Sequence, residues 1–175
     1  MTTIQLVLQG GAVSLLLAMM PAWGASRAPR PLAIRSAGAQ VLACVPSDED
    51  DIVEVADAGI SPIGAMDDRL PPRPWQITLG TNVVPLRLMP GQCLEFRQLP
   101  PGYIDVVPPS DLRDGWPYTF AIRSAGRGRH GTRNHAGDFC ISRSGKTVEV
   151  VQVPRTAAAV TSVTCGDLFK ASAPL

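Results

Sequence analysis

The chain has 175 residues, a length that suits one domain of ordinary size. Its formal net charge is +1, so the overall charge does not favour nucleic acid or an anionic membrane as a partner. The 17 prolines and 16 glycines are spread along the chain, which excludes long uninterrupted helices and leaves short segments that favour strands.

The N-terminal segment, residues 1–24, has the layout of a signal peptide. Residues 13–20 are compactly apolar, Pro21 ends that stretch, and Ala22 and Gly24 provide the small residues that precede a cleavage site. An uncleaved membrane anchor is the alternative, but the apolar stretch is shorter than the roughly 20 residues that span a bilayer. We therefore expect export to the periplasm, with no membrane span after cleavage.

Residues 25–37 contain prolines and arginines without periodicity, and we expect a flexible lead-in there. A single domain is expected over residues 38–170. In the segment that begins at Trp75, alternation puts Trp75, Ile77 and Leu79 on the core side. The predicted strands are short apolar or alternating segments between Gly and Pro turns, at residues 40–46, 52–58, 75–79, 92–96, 103–107, 116–123, 139–142 and 147–153.

Three further segments are less regular. Residues 83–89 are extended but carry Pro85, which places them at a sheet edge or a bulge. Residues 126–137 are predicted to be a Gly-rich loop, and residues 156–170 fit either a helix or a strand. Seven to eight short strands without a long amphipathic helix predict an all-β fold, an Ig-like antiparallel β-sandwich, with a barrel as the main alternative.

The four cysteines, Cys44, Cys93, Cys140 and Cys165, all lie after the cleavage point. An even number in an exported chain predicts disulfide bonds, and the lack of closely spaced pairs argues against zinc. Four cysteines allow three pairings, and the sequence does not decide among them. Cys93 and Cys140 fall in predicted strands that could face each other across a sandwich. On that basis we expect bonds Cys93–Cys140 and Cys44–Cys165.

The chain has two histidines, His130 and His135, both in the predicted Gly-rich loop. A Ser or Cys nucleophile needs a nearby base, and no G-x-S-x-G motif is present. We therefore expect two exposed loop histidines, no enzyme activity, no cofactor and no metal. A small hydrolase, or a metal carrier using both histidines with Asp138, is the alternative that remains.

Two runs of opposite charge occur along the chain. Residues 48–57 contain six acidic residues and no basic one, whereas residues 123–146 contain six basic residues and one acidic, Asp138. Separate charged patches can orient a protein partner, although solvated loops are the alternative. The candidate partner-binding residues are Asp48, Glu49, Asp50 and Asp51 in the first run and Arg127, Arg129 and Arg133 in the second.

Several short motifs together resemble a known family, the type VI secretion immunity periplasmic lipoproteins, over roughly residues 38–154. The motifs are Ala-Cys-Val-Pro at residues 43–46, Pro-Gly-Gln-Cys at 90–93, Tyr103, the Pro117-Tyr118 pair, Asp-Phe-Cys-Ile at 138–141 and a Val-rich strand at 148–153.

The resemblance implies a small exported β-domain that binds and neutralises an antibacterial effector toxin, with no catalytic residues. The chain departs from the family because no cysteine follows the signal sequence until Cys44, so a lipid anchor is not expected. The second hypothesis is an assembly accessory of the bacterial envelope, such as a pilus or secretion-apparatus component. In that case residues 83–89 would be an edge strand that accepts a partner strand.

Overall fold

A computed structural model describes residues 28–64, 72–126, 134–145, 147–154 and 165–172, and the predicted signal peptide lies outside them. The strands are β1 (Arg30–Pro31), β2 (Ala33–Ala37), β3 (Gln40–Cys44), β4 (Val53–Pro62), β5 (Trp75–Leu79), β6 (Arg87–Leu88), β7 (Cys93–Glu95), β8 (Tyr103–Val107), β9 (Pro117–Ser124), β10 (Asn134–Ser144) and β11 (Thr147–Val153). One helix, α1, spans Cys165–Ser172. The described segments contain no helix with the length and hydropathy needed to cross a bilayer.

The strands form two sheets, one of eight strands and one of three. The large sheet has the order β1-β10-β9-β4-β5-β8, with β11 also on β10 and β6 on β4, and the small sheet has the order β2-β3-β7. Every pair is antiparallel except β1 with β10, which is parallel. The predicted all-β, sandwich-like fold is confirmed, because apolar side chains of both sheets meet in one core.

Three aromatic rings join the two sheets at the centre of this core. Trp75 of β5 contacts Phe120 of β9 and Phe96, which follows β7, with ring centroids 5.7 and 5.8 Å apart. Both contacts are edge-to-face, an arrangement that adds to the stabilisation from burying the rings. The predicted core positions Trp75 and Ile77 are confirmed, and Leu79 packs against the same core.

A bulge in β4 changes which of its side chains face the core. Simple alternation along this strand would bury Asp57 together with Val53 and Val55. The register of β4 with β9 shifts between Val55 and Asp57, and the buried positions resume at Ala58 and Ile60. Because the extra residue of a bulge inverts the alternation, Asp57 lies on the outer face of the sheet.

The hydroxyl of Tyr103 connects β8 to this bulge. It donates a hydrogen bond of 2.6 Å to the Val55 carbonyl and accepts one of 3.0 Å from the Leu86 N–H. Burial raises the pKa of Tyr103, and the Leu86 hydrogen bond opposes that rise. The hydroxyl therefore keeps its proton and remains a donor to Val55.

The chain crosses from the large sheet to the small sheet at Leu32. β1 pairs with β10, β2 pairs with β3, and the fully buried Leu32 lies between β1 and β2. The expected flexible lead-in over residues 25–37 is therefore wrong for residues 30–37. Leu32 and Ile34 belong to the core, so the folded part includes residues that precede the predicted domain start at residue 38.

Two residues far along the chain accommodate this crossing. The Gln152 side chain donates to the Leu32 carbonyl at 2.7 Å and accepts from the Ile34 N–H at 3.1 Å. A Cβ on Gly137 would lie 2.6 Å from a side-chain carbon of Ile34 and 2.7 Å from the Leu32 carbonyl oxygen. The crossing chain thus occupies the space that any side chain at position 137 would need.

The disulfide bonds join Cys44 to Cys93 and Cys140 to Cys165. The predicted pairing of Cys93 with Cys140 and of Cys44 with Cys165 is wrong. Cys44 and Cys93 lie directly opposite each other on β3 and β7 of the small sheet. Cys140 lies on β10 of the large sheet, where Cys165 of α1 packs beside it. Two intrachain disulfides are typical of exported proteins.

The three less regular segments agree with prediction only in part. Within residues 83–89 only β6 is a strand, and it pairs with β4. Residues 134–137 of the predicted loop over residues 126–137 are strand, because β10 begins at Asn134, and residues 127–133 lie outside the described residues. Within residues 156–170 the described part is helical from Cys165 onward, and the remainder lies outside the described residues.

Non-reducing peptide mapping should recover Cys44 with Cys93 and Cys140 with Cys165. A Cys93–Cys140 peptide would contradict the structure.

Replacing Cys140 and Cys165 together by serine should lower the free energy of unfolding by about 3 kcal/mol, because the unfolded chain is no longer constrained. Hydrogen exchange in α1 should rise, since this helix packs on the small apolar cluster around that disulfide. Urea unfolding and amide exchange measure the two effects. The control is the Cys44→Ser, Cys93→Ser double variant, which should have lower stability but unchanged hydrogen exchange in α1.

Gln152→Ala should lower the free energy of unfolding by about 2 kcal/mol, because the Leu32 carbonyl and the Ile34 N–H both lose a partner. Amide exchange at Ile34 should accelerate in the same variant. The control is Glu149→Ala on the same strand, whose exposed side chain should change stability by no more than about 0.5 kcal/mol. Unchanged exchange at Ile34 in Gln152→Ala would show that the crossing does not depend on this side chain.

Candidate functional site

The outer face of the large sheet, opposite the core, is only partly covered by the described residues. Cys140 lies on this face because its neighbours Phe139 and Ile141 point into the core. Over β9 the face is open, since Ala121 is exposed to solvent. The helix α1 covers the part over β10 and β11, in an apolar cluster made of Cys140, Val153, Cys165, Leu168 and Phe169.

Small residues give the open part of this face a shallow groove. Gly59 and Ala121 lie directly opposite each other on β4 and β9. Two adjoining pockets, of about 190 and about 320 Å³, share Asp57 and Ala121, and together we call them the outer groove. Its polar lining residues are Asp57, Ser61, Arg73, Gln76, Thr119, Arg123, Asn134 and His135.

An ion pair lies where the two pockets of the outer groove meet. The Arg123 guanidinium donates to the Asp57 carboxylate, its partner across the β4–β9 ladder. The Arg123 side chain remains 58% exposed and the Asp57 side chain 22% exposed, so the pair is still accessible to a partner. Exposed ion pairs contribute little to stability, so the fold does not depend on this pair.

The same ion pair joins the two charged runs of the sequence. Asp57 ends the acidic run of residues 48–57, and Arg123 begins the basic run of residues 123–146. The strand register places these two ends side by side. At this point the runs form one mixed surface rather than the two separate patches expected from the sequence.

Further polar side chains, charged as well as neutral, lie on both sides of the ion pair in the outer groove. Near β5 the Arg73 guanidinium donates to the side-chain carbonyl of Gln76. Near β10 the Thr119 hydroxyl donates to the buried Asp138 carboxylate at 2.6 Å. An open surface with donors, acceptors and one accessible ion pair suits the polar part of a protein interface.

The alternative metal site at His135 and Asp138 is not assembled by the described residues. The two residues are three positions apart on β10, so their side chains lie on opposite faces of the sheet. His135 pairs with the buried Ile122, and Asp138 pairs with Thr119 of the outer groove. The described part of the chain holds no group of three ligating side chains that could bind a metal ion.

Half of the predicted acidic patch is buried in ion pairs. Arg30 of β1 lies 2.5 Å from Glu49 and 3.1 Å from Asp51, whose side chains are 5% and 10% exposed. Glu49 and Asp51 thus hold β1 in place and are not available to a partner, whereas Asp48 and Asp50 are exposed. The predicted basic residues of the connection between β9 and β10 lie outside the described residues, namely Arg127, Arg129 and Arg133.

His135 is buried beside this ion-pair group, so the expectation of an exposed loop histidine is wrong for it. The residue lies opposite Arg30 in the β1–β10 ladder and is 4% exposed. Neither ring nitrogen has a hydrogen-bond partner among the described residues. Burial lowers the pKa of His135; the nearby Glu49 and Asp51 carboxylates oppose that effect and Arg30 reinforces it. The other histidine, His130, lies outside the described residues.

Asp57 and Arg123 were counted in the charged runs but were not predicted as a site. A signal was present, because each is two positions from a small residue, Gly59 or Ala121, on the same face of its strand. Small and charged side chains alternating with buried apolar ones indicate an open sheet face.

Comparison of the chain with protein-family models, curated proteins and solved structures gives no match.

Acidification should destabilise the protein through His135. Its folded-state pKa lies below the ordinary value of 6.5, so the unfolded chain binds more protons in this range. The stability is present above pH 6.5 and is lost as the pH falls toward the folded-state pKa, with a slope of at most about 1.4 kcal/mol per pH unit. Urea unfolding between pH 7.5 and about pH 5 measures the slope. His135→Leu should flatten the profile, and equal slopes in wild type and His135→Leu would contradict this assignment.

Proposed function

We propose that this chain is an exported, non-enzymatic binding protein that docks a partner protein through the outer groove. The observation that carries the proposal is the open sheet face centred on the Asp57–Arg123 pair, with accessible charges among neutral hydrogen-bonding side chains. Small residues at Gly59 and Ala121 let a partner surface approach the backbone of the sheet. Protein interfaces combine such close packing with a comparable set of polar contacts.

Two features support export to the periplasm. The disulfides Cys44–Cys93 and Cys140–Cys165 require an oxidising compartment in most organisms. The apolar residues 13–20, followed by Pro21 and small residues, have the pattern of a cleavable signal peptide. The protein functions there without a lipid anchor, because no cysteine stands just after that signal.

The partner within this proposal is a type VI secretion effector toxin, and the chain is the immunity protein that occludes it. Support comes from the short motifs at residues 43–46, 90–93 and 138–141, which resemble those of the immunity lipoproteins. Occlusion needs a surface that keeps its shape on binding, because ordering a flexible surface lowers affinity. A sheet fixed by two disulfides and one continuous core meets that requirement.

Co-expression with a toxin encoded beside the gene tests both the partner and the groove. Cells producing the toxin should survive when the exported wild-type chain is present. Ala121→Arg should abolish protection and weaken toxin binding by about tenfold or more, because the long side chain fills the floor of the outer groove. Calorimetry with the purified toxin measures the affinity. The matched control is Ala39→Arg in the exposed turn between β2 and β3, which should protect as wild type does.

A charge exchange provides the second variant of the same test. Asp57→Arg combined with Arg123→Asp keeps the ion pair and reverses its direction, so the free energy of unfolding should stay within about 1 kcal/mol of wild type. Toxin binding should still weaken. Protection by both groove variants would reject the outer groove as the interface, whereas failure of the wild-type chain to protect against any neighbouring toxin would reject the immunity role.

An assembly accessory of the bacterial envelope is the second candidate function. It is favoured by the edge of β8, which pairs only with β5 among the described strands. The predicted acceptor edge at residues 83–89 is a different one and contains only the two-residue strand β6, which pairs with β4. Cross-linking in the periplasm that yields several envelope proteins, and no toxin, would favour this candidate over immunity.

A further inference from the structure

Exposed apolar side chains concentrate at one edge of the large sheet. Of the five large apolar side chains that are exposed among the described residues, four lie on β8 or in segments that meet its start. Val83 lies against Gly102, which brings residue 84 to the beginning of β8. Such a cluster at a strand edge indicates a binding surface, because natural proteins usually cover or charge their edges. The four residues are Val84 (82% exposed), Leu99 (49%), Ile104 (58%) and Val106 (52%).

The backbone of β8 offers hydrogen-bonding groups at this edge. The Gly102 carbonyl accepts a hydrogen bond of 2.9 Å from the Gly80 N–H, on the β5 side. In an antiparallel ladder the direction of the backbone groups alternates along the strand, so the groups of Ile104 point toward β5 and those of Asp105 point away. No described strand pairs with β8 on that second side.

The side chain of Asp105 places a negative charge at this edge. It is exposed and makes no ion pair with any described residue. A second copy of the chain, paired symmetrically about this position, would put two carboxylates directly opposite each other, which is unfavourable. A strand with a basic residue at that position would instead gain a cross-strand ion pair.

We propose that the free edge of β8 captures an extended segment of another protein by strand addition. The captured segment carries Lys or Arg opposite Asp105 and apolar side chains on both sides of it, which pack beside Ile104 and Val106. Backbone hydrogen bonds then provide affinity, and the alternating side chains provide the choice of segment, as in other cases of β-augmentation.

This inference goes beyond the proposed function, because strand capture at β8 uses none of the residues that line the outer groove. It applies whether the partner is a toxin or an envelope subunit. The two sites are separable by substitution, since Ala121→Arg should leave strand capture unchanged and substitutions on β8 should leave groove binding unchanged.

The test titrates short capped peptides into the isotope-labelled full domain at low salt and follows amide chemical shifts. The probes are Ser-Thr-Val-Lys-Val-Thr-Ser and the same peptide with Glu in place of Lys. Shifts should be confined to β8 and β5, and the Lys peptide should bind roughly fivefold more tightly than the Glu peptide. Asp105→Lys should reverse that preference. Methylating the backbone nitrogen of the peptide residue opposite Asp105 should abolish binding without altering the protein.

Controls and contrary outcomes are defined by the same titrations. Ile104→Thr should weaken both peptides, and Met89→Gln, which removes the fifth exposed large apolar side chain of the described residues, should change neither. The proposal is overturned by shifts centred on Ala121, by equal affinity for the two peptides, or by absence of binding at millimolar peptide. A homodimer that masks β8, and that persists or becomes stronger in Asp105→Lys, would show that β8 pairs with a second copy of this chain. That result would overturn the proposal that it captures a segment of another protein.

Discussion

The contact between Leu32 and position 137 determines how the two sheets are joined. Gly137 has no side chain, so the backbone at Leu32 can pass directly over β10 on its way from the large sheet to the small one. Gln152 satisfies the backbone groups that the crossing leaves without a ladder partner. Because this connection lies on the inner side of the sheet, the outer face over β9 and β4 stays open.

The bulge in β4 determines that the charged side chain of Asp57 lies on that open face. Without the bulge in β4, Asp57 would point into the core, where an unpaired carboxylate is strongly unfavourable. With the bulge, Asp57 pairs with Arg123 across the ladder, and the acidic and basic runs of the sequence meet in one surface. The carbonyl of Val55 at the bulge is in turn bonded by Tyr103, so the edge strand β8 and the groove share a structural support.

Local pattern predicted most of the strands and failed where distant parts of the chain decide the outcome. The bounds of β5, β8 and β11 match the alternating segments, because alternation with turn residues at both ends is a local property. The disulfide pairing depends on which strands become neighbours, and nothing near Cys44 indicates that β7 lies beside it. Likewise Ile34 and His135 are buried by contacts with segments remote in sequence, which their Pro-rich and Gly-rich surroundings conceal.

The crossing at Leu32 also constrains the order in which the native state is assembled. The N-terminus of a chain is the first part to emerge during synthesis, yet β1 has its ladder partner in β10, and the backbone at Leu32 is bonded by Gln152. Contacts between such distant positions are reached slowly, because a long loop must close before they form. The first segment of the domain to be synthesised therefore reaches its native position only after β10 and β11 have been synthesised. Until then the two sheets cannot be joined at Leu32.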